Sequence, residues 1–189
     1  MAKNDPHRKV ADRRITRVQR TRLPRRFLLL AVACVLLVSS STAAPGDFWL
    51  DVNVASRHSS RDYRWHGQVQ RFNQNNLGLG ATYEVNRWCD VKGGFFRNSY
   101  DKTSVYAVGN AKWTLVTRPN WSLAPGVALG LVSGYQNTPE QTGEVAPWGM
   151  VSMTVGIGER WRVNLGYIPS RIFVSNSIDV ATLQLSWRL

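Results

Sequence analysis

The residues best equipped for chemistry gather in one short stretch, "FFRNSYDKTSVY" at 95–106, where Asn98, Ser99, Tyr100, Asp101 and Lys102 stand side by side. Asn and Ser ahead of a polar turn are ordinary turn residues, because their side chains hydrogen-bond nearby backbone. The same pair has a second use. A serine hydroxyl that meets an imidazole is an activated nucleophile, or a hydrogen-bond donor to an oxyanion. Imidazole suits the part of general base, its unperturbed pKa being about 6.5. An Asn amide can donate to an oxyanion but cannot take up a proton as a carboxylate does. Beyond residue 44 the histidines are His58 and His66, and no Cys or carboxylate clusters with either at metal-ligand spacing. Neither a metal nor a cofactor is expected.

What positions these residues is a secreted, β-rich chain. The 189 residues carry a formal net charge of +12. Residues 1–26 hold ten basic side chains against two acids, a net of +8, and the remainder is only mildly basic at +4. A nucleic-acid partner is therefore not expected. The basic segment runs into "FLLLAVACVLLVSSSTAA", an uncharged apolar core followed by small residues, which is the layout of a secretory signal peptide. Its apolar run, Phe27 to Val38, is too short for a spanning helix of about 20 residues. Residues 1–44 are read as the signal, with cleavage near Ala44, and 45–189 as the mature domain. "AVAC" at 31–34 and "PRRFLLL" at 24–30 hint at lipoprotein and twin-arginine signals, and both fit less well. Cys89 is then the remaining cysteine, so no intramolecular disulfide is expected.

From Phe48 onward the dominant period is two. Leu77, Leu79, Ala81, Tyr83 and Val85 alternate with polar or small residues, and so do Leu183, Leu185, Trp187 and Leu189. Eight strands are expected, near 48–58, 76–86, 90–99, 104–116, 121–135, 145–156, 160–169 and 179–189. An even number of strands of about ten residues fits an all-β, eight-stranded antiparallel up-and-down outer-membrane β-barrel, whose closure satisfies every backbone donor and acceptor. Phe48, Trp49, Trp88, Trp113, Trp121, Tyr135, Trp148, Trp161, Tyr167 and Trp187 lie near strand ends, as interfacial girdles do. The alternative is a soluble sandwich or lipocalin-like barrel with the apolar face inward.

Connection lengths set the orientation. Short links at 87–89, 117–120 and 157–159 read as periplasmic turns, and longer ones at 59–75, 136–144 and 170–178 as outer loops. Strand parity then carries His58 and Asn98–Ser99 to the same outer rim. Pro147 and Pro169 each lie 11 positions from Gly158, so a turn centred there would set them opposite each other. Prolines give no N–H to a ladder. They either end their strands at a loop or open the outer part of this strand pair toward lipid. Ser122, Ala124, Gly126, Ala128 and Gly130 form a small-residue face, leaving space either for an acyl chain or for side chains from the opposite wall.

In order and spacing, "SRH" at 56–58, "RFNQNNLGLG" at 71–80, "FFRNSYDK" at 95–102, "VAPWGMVSMTVGIG" at 145–158, "GYIPS" at 166–170 and the terminal "LQLSWRL" resemble the outer-membrane lipid A palmitoyltransferase (PagP) family over roughly 52–189. The resemblance implies a monomeric barrel that moves an acyl chain from a phospholipid donor to lipid A. It implies that His58 and Ser99 are essential, with Asn98 standing where the family has an Asp, and that Pro147 and Pro169 flank a lipid entry. Arg97 and Tyr100 are expected to contact substrate, and Asp101 or Asp62 to supply the charge Asn98 lacks. The family's second proline pair is replaced by residues near Asn53 and Asn76, and the helix before its first strand is absent. Those departures leave open a barrel that kept the fold and lost the reaction; a small pore is a third class.

Overall fold

The computed structural model describes residues 46–138, 144–170 and 178–189. Alternating sequence becomes strand throughout: β1 (Phe48–His58), β2 (Asp62–Trp65), β3 (Gln68–Arg71), β4 (Gly78–Asn86), β5 (Cys89–Arg97), β6 (Thr103–Lys112), β7 (Val116–Arg118), β8 (Trp121–Ser133), β9 (Val145–Ile157), β10 (Trp161–Ile168) and β11 (Val180–Arg188). The wall has eight staves, β1, β4, β5, β6 with its continuation β7, β8, β9, β10 and β11, all paired antiparallel with their neighbours. β11 pairs back onto β1, so the sheet closes into a barrel and has no free edge strand. The expected signal, 1–44, lies outside the described residues.

The apolar stripe points out. Leu50, Val52, Leu79, Val91, Phe95, Val105, Leu131, Val151 and Leu165 are exposed, whereas Asp51, Thr82, Asp90, Asn110, Thr154, Asn164 and Ser186 are buried inside. A soluble barrel requires the reverse. A closed barrel with an apolar outside and a polar inside is the solution for lipid, and the chain is an outer-membrane β-barrel.

The end carrying the short turns is filled. Asp51 accepts hydrogen bonds from the hydroxyls of Thr82 and Ser186, both at 2.5 Å. Asn164 donates to Ser186 at 2.8 Å and accepts from Thr154 at 2.8 Å. Lys112 pairs with Glu84 and lies 3.1 Å from Asp90, while Arg162 reaches Glu84 at 3.0 Å and stacks 3.5 Å over the Trp49 ring. Small residues on β8 make room for this polar filling: a Cβ on Gly126 would fall 2.8 Å from Ser152 Oγ and 3.2 Å from Asn110 Oδ1.

Four departures from the sequence expectations have local causes. The stave expected over 104–116 breaks into β6 and β7, because Pro125 on β8 has no N–H to offer and the ladder slips by one residue opposite it. The first long connection holds its own hairpin, β2–β3, turned at His66 and Gly67 with φ of 49° and 77°, a left-handed pair typical of two-residue hairpin turns. Trp49, Tyr135 and Trp148 do not join the girdles: Trp49 is buried, Trp148 packs on Tyr106 at 6.1 Å, and Tyr135 packs on Tyr100 at 6.1 Å. Finally, Trp161 faces Ile157, so the β9–β10 turn is centred on Glu159, and Pro147 and Pro169 miss direct opposition by two positions.

Candidate active site

A bulge brings the site together. β1 pairs with β11 in register from Trp49 to Asn53, then skips Val54 and resumes at Ala55. The extra residue flips the parity of the strand. Below it the odd-numbered Trp49 and Asp51 point inward; above it the even-numbered Ser56 and His58 do. Without the bulge His58 would face lipid.

The turn after β5 delivers Ser99. Asn98, fully buried, organises this turn with its side chain: Oδ1 accepts from the backbone N–H groups of Tyr100 (2.9 Å) and Lys102 (3.0 Å), and Nδ2 donates to Ser104 Oγ (3.0 Å) and the Gly134 carbonyl (2.9 Å). Both amide hydrogens of Asn98 are therefore engaged within the fold. Asp101, with φ of 64°, completes the turn. The result places Ser99 Oγ 2.7 Å from His58 Nε2, both residues buried, across 41 residues of sequence.

The imidazole is held by packing. The Phe72 ring stacks on it at 4.4 Å and 5°, and Tyr63 of β2 packs on Phe72 at 4.7 Å and edge-on to Tyr100 at 5.0 Å. The hairpin thus roofs the site with aromatic rings. His58 Nδ1 is buried with no hydrogen-bond partner among the described residues. A Ser99 hydroxyl that donates to Nε2, as a nucleophile requires, goes with the tautomer that carries its proton on Nδ1. Asp101 and Asp62, the expected sources of charge, turn elsewhere: Asp101 pairs with Arg97 at 2.5 Å and Asp62 with Arg71 at 3.6 Å. Arg97 is exposed and lies outside the lumen, whereas Tyr100 lines it.

Below the pair lies a cavity lined by Phe96, Val108, Val132, Ala146, Trp148 and Met150 together with Ser152, Asn164 and Gln184. Of the prolines' neighbourhood, among the described residues the β9–β10 ladder stops at Val151 and Tyr167, while β9 runs on to Val145 along β8. Pro147 lies in that overhang, opposite Leu131, and Pro169 follows the last residue of β10. Near the missing second proline pair, Asn76 accepts from Ser56 and donates to the Arg97 carbonyl at 2.7 Å. Asn53 accepts from Gln184 at 3.1 Å. A polar strap thus carries on where the β1–β4 ladder ends at Asn53 and Gly78. Sequence reasoning missed Phe72 and Tyr63. The hairpin signal "YRWHGQV", two alternating runs about a Gly-containing turn, was there to be read.

Comparison with known proteins adds the fold and stops there. No protein-family model matches, and neither does any curated protein. A designed transmembrane β-barrel superposes with a TM-score of 0.54 at 15% identity, covering 78% of this chain and 98% of the design. The N-terminal β-barrel domain of Pseudomonas aeruginosa OprF gives 0.44 at 10%, covering 77% and 100%. Neisserial surface protein A gives 0.44 at 12%, covering 78% and 99%. The palmitoyltransferase resemblance therefore rests on the sequence pieces alone.

Proposed function

We propose that this barrel is an outer-membrane acyltransferase, resembling the lipid A palmitoyltransferases, that moves an acyl chain from a phospholipid to lipid A or a related lipid without a cofactor. The observation that carries the reading is the Ser99–His58 hydrogen bond of 2.7 Å at the mouth of an apolar-walled cavity. As Ser99 Oγ attacks the ester carbonyl carbon of the donor, its proton passes to His58 Nε2. Collapse of the tetrahedral adduct breaks the ester C–O bond, and the lysophospholipid oxygen leaves with the proton from Nε2. A hydroxyl of the acceptor then gives its proton to Nε2 and attacks the acyl-serine, restoring Ser99. Tyr100 lies beside the acyl chain; Pro147 and Pro169 border the overhang of β9, where a lipid chain enters; Arg97 meets lipid phosphate from outside.

Mass spectrometry of lipid A from cells expressing the barrel tests this. One added acyl chain is expected, falling about 100-fold or more in Ser99→Ala and in His58→Ala. An unchanged lipid A, with the barrel assembled, sinks the proposal. A second reading, a non-catalytic surface barrel, draws on the unpartnered Nδ1 and on the structural engagement of Asn98. It predicts the unchanged pattern.

A further inference from the structure

Among the described residues, Lys92 is an inward cation of the lumen with no carboxylate paired to it. It stands on β5, nine-tenths buried, and it lines the cavity. Among the described residues the other inward cations are paired, Lys112 with Glu84 and Asp90, Arg162 with Glu84, and Arg188 at the turn end with Asp47. Among the described residues no carboxylate comes within 4.0 Å of Lys92. The carboxylate linked to it through the sheet is Asp51. Lys92 sits opposite Thr82, whose hydroxyl donates to one Asp51 oxygen, and Ser186 occupies the other. Lys92 faces the cavity, and in a lumen walled by protein a charge with no carboxylate beside it attracts an arriving anion more strongly than it would in open water.

The rest of the cavity describes that anion. Val108, Val132, Ala146, Trp148 and Met150 form a continuous apolar wall, and the Tyr106 hydroxyl and Gln184 amide, 3.3 Å apart, lie on the same lining. We infer that the cavity binds a single-chain fatty acid with its carboxylate at Lys92 and its chain running along this wall toward the mouth. One ammonium matches one monoanion. A phosphate monoester, nearly a dianion at neutral pH, would keep its second charge in the same lumen as Asp51. The site requires no reaction at Ser99, so this proposal and acyl transfer stand or fall separately.

Calorimetric titration of the intact barrel in dodecyl maltoside micelles tests it, with dodecanoate and the uncharged, equally long dodecanol as probes. Dodecanoate is expected to bind about tenfold or more tightly than dodecanol, as an ionic hydrogen bond provides. Lys92→Met, which keeps the length and loses the charge, is expected to bring the two probes level. Equal affinity of the native barrel for both probes overturns the proposal, as does failure to bind either. A preference for dodecanoate that survives Lys92→Met overturns it too. Should that variant fail to assemble, the native comparison decides alone.

Discussion

Asn98 and Ser99 are chain neighbours with opposite tasks. The Asn98 side chain makes four hydrogen bonds that fix the turn, and that turn fixes where Ser99 points. Asn is required by arithmetic: two acceptances at Oδ1 and two donations at Nδ2. An aspartate keeps the acceptors and sets a carboxylate oxygen against the Gly134 carbonyl. Asn98→Asp is therefore expected to cost about 1–3 kcal/mol of stability. Urea titration of the refolded barrel, followed by its heat-modifiable gel mobility, measures this. A variant as stable as the native protein would show that the turn tolerates the family's residue.

The site depends on two irregular elements. Val54 is the extra residue of the β1 bulge, and everything above it changes face. Deleting Val54 is expected either to return His58 to the lipid side, with loss of the contact to Ser99, or to slip the β1–β11 register so that Asp51 is exposed; assembly yield then drops sharply. Recovery of folded barrel from inclusion bodies checks it. The β2–β3 hairpin is the other element. Its Tyr63 supports Phe72, which stacks flat on His58. Phe72→Ala is expected to leave the barrel folded and to lower acyl transfer about 10-fold, because the imidazole, held by a hydrogen bond at Nε2 alone among the described residues, loses the ring that orients it. Phe72→Tyr is expected to restore most of the rate, an outcome that a general loss of stability would not give.

The barrel as a whole is closed at one end and hollow at the other. Lys112, Glu84, Asp90 and Arg162 tie four staves together at the turn end. Lys112→Met leaves Asp90 without its ion-pair partner and is expected to destabilise the barrel by about 3–5 kcal/mol, read as a lower urea midpoint. The same filling argues against conduction. Purified barrel in a planar bilayer is expected to show no discrete conductance steps, and a Lys112→Met barrel that stays closed would confine the network's part to stability.

The fold class was legible because lipid is a local constraint. Each strand residue faces either oil or the lumen, so a period of two and a polar inner set are written stave by stave. The shared rim of His58 and Ser99 followed from strand parity and link length alone. The 2.7 Å contact between them did not, since it rests on one skipped residue, Val54, and nothing in the period marks which residue of a strand is left unpaired. The offset of Pro147 and Pro169 was equally hidden, because a one-residue shift in the turn centre moves the facing position by two. Phe72 and the engaged amide of Asn98 acquire their meaning from partners distant in the chain, and Lys92 from the cavity that several staves enclose. Pairing across a closed barrel joins residues distant in sequence, and no local period records it.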